Sequence, residues 1–302
     1  FAAIREANYF IETVVPRFEK GEIEGSEVNI KHYIGEMYFL RAKNYLSKLE
    51  TFGDFPIIKN TLPDENEPLT QASKREPRHK VARFILEDLD QTIGLLTNNI
   101  SGGKNRITKN AALLLKSRAA LFEASWLTYH RGTALVPGGS GWPGKAEDIA
   151  DFNIDTEIAF FLKEAKEAAK EVIGNAALMQ NTAKDCMDET VKTDEDKYKM
   201  SNPYFAQFSA NSLEGYSEIL LWRAYNLLDY KIVHSAPFYI RVGGNTGFTR
   251  QYVESFLCRD GKPIYTTDQY KGDKSLLDVR KNRDLRLQLF LMTPGETLSP
   301  NM

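Results

Sequence analysis

Apolar residues recur at intervals of three and four through most of the first half of this chain, the spacing of helices with one buried face. In residues 30–51 the stripe is Ile30, Tyr33, Ile34, Met37, Arg41, Tyr45 and Leu49. In 78–97 it is Val81, Ile85, Leu89, Ile93 and Leu96, and in 108–127 it is Ala111, Leu115, Ala119 and Phe122. Residues 155–173 repeat it with Ile158, Leu162, Ala165, Ala169, Val172 and Ile173, and residues 2–18 form a further candidate helix. Helices of this length, alternating with loops and rich in small residues, predict a mainly α fold. The helices should stack in antiparallel pairs of the tetratricopeptide type, although the strict tetratricopeptide consensus is absent.

The breaks between stripes are as informative. Phe52-Gly53-Asp54-Phe55-Pro56 ends the second helix, because Gly53 can take a left-handed cap and Pro56 forbids continuation. Ile57 and Ile58 then leave the turn extended. Residues 128–150 form a long loop containing Gly138, Gly139, Gly141 and Gly144. From about residue 198 the texture changes: 217–225 reads as a buried extended segment, and 235–250 as a second loop turning at Gly243-Gly244 and Gly247. The acidic run 185–197 reads as a solvated loop. These observations divide the chain into a helical scaffold over 1–197 and a loop-rich, irregular ligand-binding lobe over 198–302, forming one structural unit overall.

Composition narrows the function. A net charge of −2 over 302 residues argues against general nucleic-acid binding, which needs a surplus of Lys and Arg. Cys186 and Cys258 fit neither a disulfide framework nor a zinc spacing, and the sequence leaves them free or paired. No apolar run approaches the roughly 18 residues needed to span a bilayer.

Chemical motifs are weak throughout. Gly139-Ser140-Gly141-Trp142-Pro143-Gly144 satisfies G-x-G-x-x-G formally, but no strand precedes it, Pro143 removes a donor and Trp142 is bulky. His32, His79, His130 and His234 lack metal-ligand spacing, and the acidic run from Asp185 to Asp196 lacks the EF-hand pattern, so neither metal nor cofactor is expected. No nucleophile motif or distinguishable carboxylate pair points to an enzyme. Glu36 and Arg41 read as structural partners, and Arg283, Asp284 and Arg286 as a charged cluster fixing a turn.

The individual residues carry more than the spacing does. Gly35, Glu36, Phe39, Leu40, Arg41, Ala42, Tyr45, Phe52, Gly53, Asp54 and Pro56 resemble a segment of the SusD/RagB family of outer-membrane nutrient-binding lipoproteins. Further phrases follow in that family's order: VARFILEDLD from Val81, RITKNAA from Arg106, VESFLCRDG around Phe256, Asp260 and Gly261, and KNRDLRL ahead of Pro294-Gly295. The resemblance covers nearly the whole chain and implies an internal fragment of a longer lipoprotein, incomplete at its C-terminal lobe. It also implies a location at the extracellular face of the outer membrane, through a lipid anchor outside this sequence. The implied role is capture of an oligosaccharide and its delivery to a SusC-like TonB-dependent transporter. A peptide-binding RagB-like member, or a helical-repeat scaffold for other proteins, are the alternatives.

The family's ligand contacts vary with substrate, so the site must be read from residue chemistry. Sugar rings present C–H faces that pack on aromatic rings and hydroxyls that need amide or charged partners. Trp126, Tyr129, His130 and Trp142, in or beside the first loop, are candidates. So are Tyr239, Arg241 and Asn245, with Phe238, in the second. Trp142, flanked by glycines and a proline, is expected to be the most exposed.

Overall fold

The computed structural model describes residues 2–180, 203–225, 228, 231, 247–291, 293 and 294. Its α-helices are α1 (Ala2–Glu19), α2 (Glu27–Phe52), α3 (Asn66–Ala72), α4 (Arg78–Leu95), α5 (Lys109–Tyr129) and α6 (Ile154–Asn175), followed by α7 (Pro203–Ser209), α8 (Arg250–Ser255), α9 (Leu276–Arg280) and α10 (Leu285–Phe290). The five long helices fall where the apolar stripes place them. Short α3 has no such stripe and was not expected. Among the described residues β structure is confined to two isolated antiparallel bridges, Phe55 with Glu76 and Cys258 with Arg283. The predicted mainly α class therefore holds.

Two compact units result: Phe1–Leu178 with Ser217–Arg223, and Met179–Tyr216 with Ala224–Met302. In the first, α1 packs on α2, α2 on α4, α4 on α5 and α5 on α6. Residue pairings give the directions. Rising numbers on α2 meet falling numbers on α4: Gly35 faces Thr92, Arg41 faces Asp88, and Tyr45 stacks edge-on against Phe84. Arg78 with Glu123 and Lys116 with Asp90 make α4 and α5 antiparallel, and Lys109 with Glu171 and Ser117 with Ala165 do the same for α5 and α6. The row is thus made of stacked antiparallel neighbours. Its core is continuous through Tyr45, Leu49, Ile85, Leu89, Ala120, Leu127 and Phe161.

Small residues allow the close approach. A Cβ on Gly35 would lie 2.8 Å from a Leu96 methyl and 3.1 Å from Leu95 Cβ, so the glycine lets α2 pass close to the end of α4. The α5 helix starts at Thr108, whose side chain accepts from the Ala111 N–H, and α6 at Asn153, which accepts from Asp155 and Thr156.

Glu36 and Arg41 are structural, but not with each other. Arg41 forks onto both oxygens of Asp88 at 2.8 and 2.7 Å and also donates to Asn8 Oδ1 at 2.9 Å. Glu36 instead accepts a two-pronged pair from Arg106, at 2.7 and 2.6 Å. The helical spacing put both residues near one face and could not reveal which distant element each would meet. Asn8 passes the Arg41 network on to the Ile58 and Asn60 carbonyls, and the Tyr45 hydroxyl bonds the Ile58 backbone. The extended chain leaving the FGDFP turn is held in place this way.

The segment 217–225 corrects the sequence reading. It is irregular and partly exposed, not a buried strand. Isolated hydrogen bonds tie it to the residues ahead of α5: Trp222 N–H donates to Lys104 O at 3.0 Å, and the Thr108 hydroxyl donates to Leu220 O at 3.3 Å. No neighbouring strand pairs with it among the described residues, so no ladder forms.

In the second unit Arg283 is the organiser. Fully buried, it donates to the Phe256 and Val253 carbonyls at 2.6 and 2.8 Å, while Asp284 caps α10 by accepting from the Arg286 N–H. The expected turn-fixing cluster is present. Phe290 gathers Tyr204, Phe248 and Phe256 around itself, and Cys258 is a buried free thiol.

Candidate ligand-binding surface

The FGDFP turn is the foundation of one end of the helical row. Gly53 adopts φ +71°, a backbone conformation that favours glycine, and its N–H closes on Leu49 O. The turn places Asp54 beside the start of α4. There the residue before the helix is Pro77, which has no side-chain cap to offer. Asp54 supplies it from 24 residues away, accepting the Arg78 N–H at 2.8 Å. Its other oxygen accepts the Trp142 indole N–H, also at 2.8 Å. One carboxylate therefore ties the turn, the helix start and the first long loop together.

Arg78 continues the network inward. Its guanidinium meets the Glu123 carboxylate of α5 at 2.8–3.2 Å, with both side chains essentially inaccessible. Burial holds the Glu123 carboxyl above its ordinary range, and the Arg78 hydrogen bonds offset only part of that rise. The same guanidinium lies 4.3 Å from the Trp126 ring centroid. Trp126 then meets His130 at 4.3 Å and Phe122 at 5.8 Å, so three rings at helical spacing climb the last two turns of α5.

Above this ladder sits the loop. Val136 is buried, anchoring it to the core. Trp126 donates its indole N–H to Leu135 O, and Ser140 N–H bonds Gly132 O. Gly139 lies so close to the Thr133 carbonyl that any side chain there would overlap it. The G-x-G-x-x-G phrase is thus a packed turn sequence, with no strand before it and only a single 3-10 turn, Ala146–Ile149, after it.

The candidate residues separate accordingly. Tyr129 is 84% exposed at the end of α5. Trp126 and His130 are half-buried and touch each other. Trp142 is half-buried as well, which corrects its expected exposure: its N–H is spent on Asp54, and its ring lies over Gly144, where a Cβ would overlap it. Glycines that promised flexibility instead made room for the indole. Tyr239, Arg241 and Asn245, with Phe238, Cys186 and the acidic run 185–197, lie outside the described residues. Sequence reasoning missed Arg78 and Glu123. A signal was present, since Glu123 lies four residues from both Ala119 and Leu127 on the apolar stripe of α5.

Exposed Phe52, stacked on Phe55 at 5.9 Å, belongs to the FGDFP turn at this end of the row. The surface thus offers aromatic faces on a rigid base. Among the described residues no group of three His, Cys, Asp or Glu side chains is gathered closely enough to hold a metal ion. Nor is any described helix long and apolar enough to cross a membrane.

No protein-family model matches the sequence, and no curated protein matches it. Solved structures do. A SusD-like protein from Bacteroides fragilis NCTC 9343 aligns over 94% of this chain and 46% of its own, with a TM-score of 0.58 and 20% identity. The fold is SusD-like. A SusD-like carbohydrate-binding protein from the same organism gives a TM-score of 0.52 at 16% identity, over 94% of this chain and 44% of its own. A third structure, BT4246, gives 0.57 at 17% identity, over 94% and 53%. This chain spans about half the length of each of these structures. Within this chain, the phrases that resembled SusD/RagB proteins supply frame contacts: Arg41 with Asp88, Glu36 with Arg106, and Arg283 with the Val253 carbonyl.

Proposed function

We propose that this chain is part of a cell-surface, lipid-anchored glycan-binding protein of the SusD/RagB family, which captures oligosaccharide at the outer membrane and delivers it to a SusC-like TonB-dependent transporter. The observation that carries the glycan reading is exposed Tyr129, the last residue of α5 and next in sequence to the Phe122, Trp126 and His130 ladder, set in a SusD-like fold. A phenol ring that is 84% exposed has a large face free to stack on a pyranose ring. The Trp126 indole on the same helix is held by Arg78 and the Leu135 carbonyl, so little ordering of it is needed on binding. The chemistry is recognition and release without covalent change.

A glycan panel titrated by calorimetry against the wild-type protein and Tyr129→Ala tests it. Binding of at least one oligosaccharide class is expected, weakened about tenfold or more in the variant. Binding of peptides and no glycan would overturn the reading in favour of a peptide cargo.

A further inference from the structure

Helices α2 and α5 both pack on α4 and both run antiparallel to it, so they are parallel to each other, and a groove of about 580 Å³ lies between them. That volume is ordinary for a small-ligand site, within the roughly 300–1,000 Å³ such sites occupy. Its floor is apolar: Leu46 from α2, with Leu115 and Phe122 from α5. Phe122 is also the first ring of the ladder that continues through Trp126 to His130, so the floor runs on toward the candidate surface.

The walls are charged, and the charge is unbalanced. Lys43 on α2 and Arg118 on α5 line the groove, are exposed, and have no ion-pair or hydrogen-bond partner among the described residues. Other cations on α5 are paired: Lys109 with Glu171, and Lys116 with both Asp90 and Glu164. Glu50 alone offsets the two groove cations, and it lies two helical turns beyond Lys43, toward the candidate surface. A ligand following the groove would meet cations first, then a carboxylate suited to accept hydroxyls, then aromatic faces.

We propose that the α2–α5 groove binds an anionic oligosaccharide, one bearing carboxylate or sulfate groups, as an extension of the aromatic surface at the end of α5. This rests on the glycan reading and adds the class of glycan to it. Lys43 and Arg118 pair with the anionic groups, and the leucine and phenylalanine floor packs against sugar C–H faces.

Calorimetry with hexagalacturonate, a heparin hexasaccharide and a panel of neutral hexasaccharides tests it, on wild type and on the double variant Lys43→Ala/Arg118→Ala. An anionic hexasaccharide should bind roughly tenfold more tightly than any neutral one at low salt, an advantage that NaCl erodes. The double variant should lose that advantage with an unchanged melting temperature, since both side chains are exposed. Equal affinity for neutral and anionic sugars, or an indifferent variant, overturns the groove proposal and leaves the glycan reading standing. Binding of no sugar of either class overturns both. A glutamate-rich peptide that binds in place of sugars, and needs Lys43 and Arg118, would make the groove an acidic-peptide site and overturn it as well.

Discussion

Trp142 donates its indole N–H to Asp54 at 2.8 Å across 88 residues of sequence, and that bond makes a glycine-rich loop part of the helical frame. Asp54 simultaneously caps the first N–H of α4. Asp54→Ala removes both bonds and should cost about 1–3 kcal/mol, whereas Trp142→Phe removes one and should cost roughly 0.5–1.5 kcal/mol. Denaturant unfolding of both single variants and the double variant checks this. The two effects should be less than additive, because they share a bond; strict additivity would show that the bond contributes nothing.

Trp142→Ala should lower stability as well as any glycan affinity, since the ring also covers Gly144. Tyr129→Ala should lower affinity alone, because the phenol is exposed. Thermal unfolding beside calorimetry separates them. A Tyr129→Ala variant with a clearly reduced melting temperature would contradict this division.

Removing one half of the buried Arg78–Glu123 pair should be severe. Arg78→Met strands a carboxylate that is fully enclosed, at a cost of about 3–5 kcal/mol. Arg78→Met/Glu123→Leu should recover most of that loss, because no uncompensated charge remains. A double variant as unstable as the single one would show that shape, not charge, governs the site.

Acid should destabilise the protein through His79. Burial, followed by the nearby Lys80 and Arg83 charges, lowers its pKa from 6.5 to about 4. The unfolded chain takes up the proton near 6.5 and the folded chain only near 4. Stability from neutral His79 is therefore full above 6.5 and declines as pH falls toward 4, by on the order of 3 kcal/mol. His79→Gln should flatten the pH dependence of unfolding free energy between those limits. An unchanged slope would exclude His79 as its source.

Gly35→Ala should cost about 1–3 kcal/mol, because the added methyl meets Leu96 at 2.8 Å and Leu95 at 3.1 Å where α2 crosses the end of α4. Leu96→Ala should relieve part of it in combination. Equal losses with and without Leu96 would show that the clash with Leu96 is not their source.

The five long helices were legible because each buries one face, and a buried face imposes a period on local sequence. The end of α2 was legible for the same reason, since Gly53 closes on Leu49 only four residues back, whereas the Thr108 and Asn153 caps appeared only in the structure. Helix α3 was not, since none of its residues is buried and no stripe results. The exposure of Trp142 was misread because glycines signal either freedom or close approach, and only the position of Gly144 beneath the indole decides which.

Local sequence was thus enough to place the five long helices and the face each turns inward, because a buried stripe is written in near neighbours. Only the tertiary structure decided partners. Arg41 took Asp88 and Glu36 took Arg106, pairings 47 and 70 residues apart that no local pattern encodes. Glu123, a carboxylate on an apolar stripe, became a tolerable core residue only once Arg78 arrived from another helix. The candidate surface depends on the same condition: Trp126, His130 and Trp142 became a connected surface when the ends of α2 and α5 were brought beside the start of α4. Long-range placement comes from packing, and packing is a property of the whole chain.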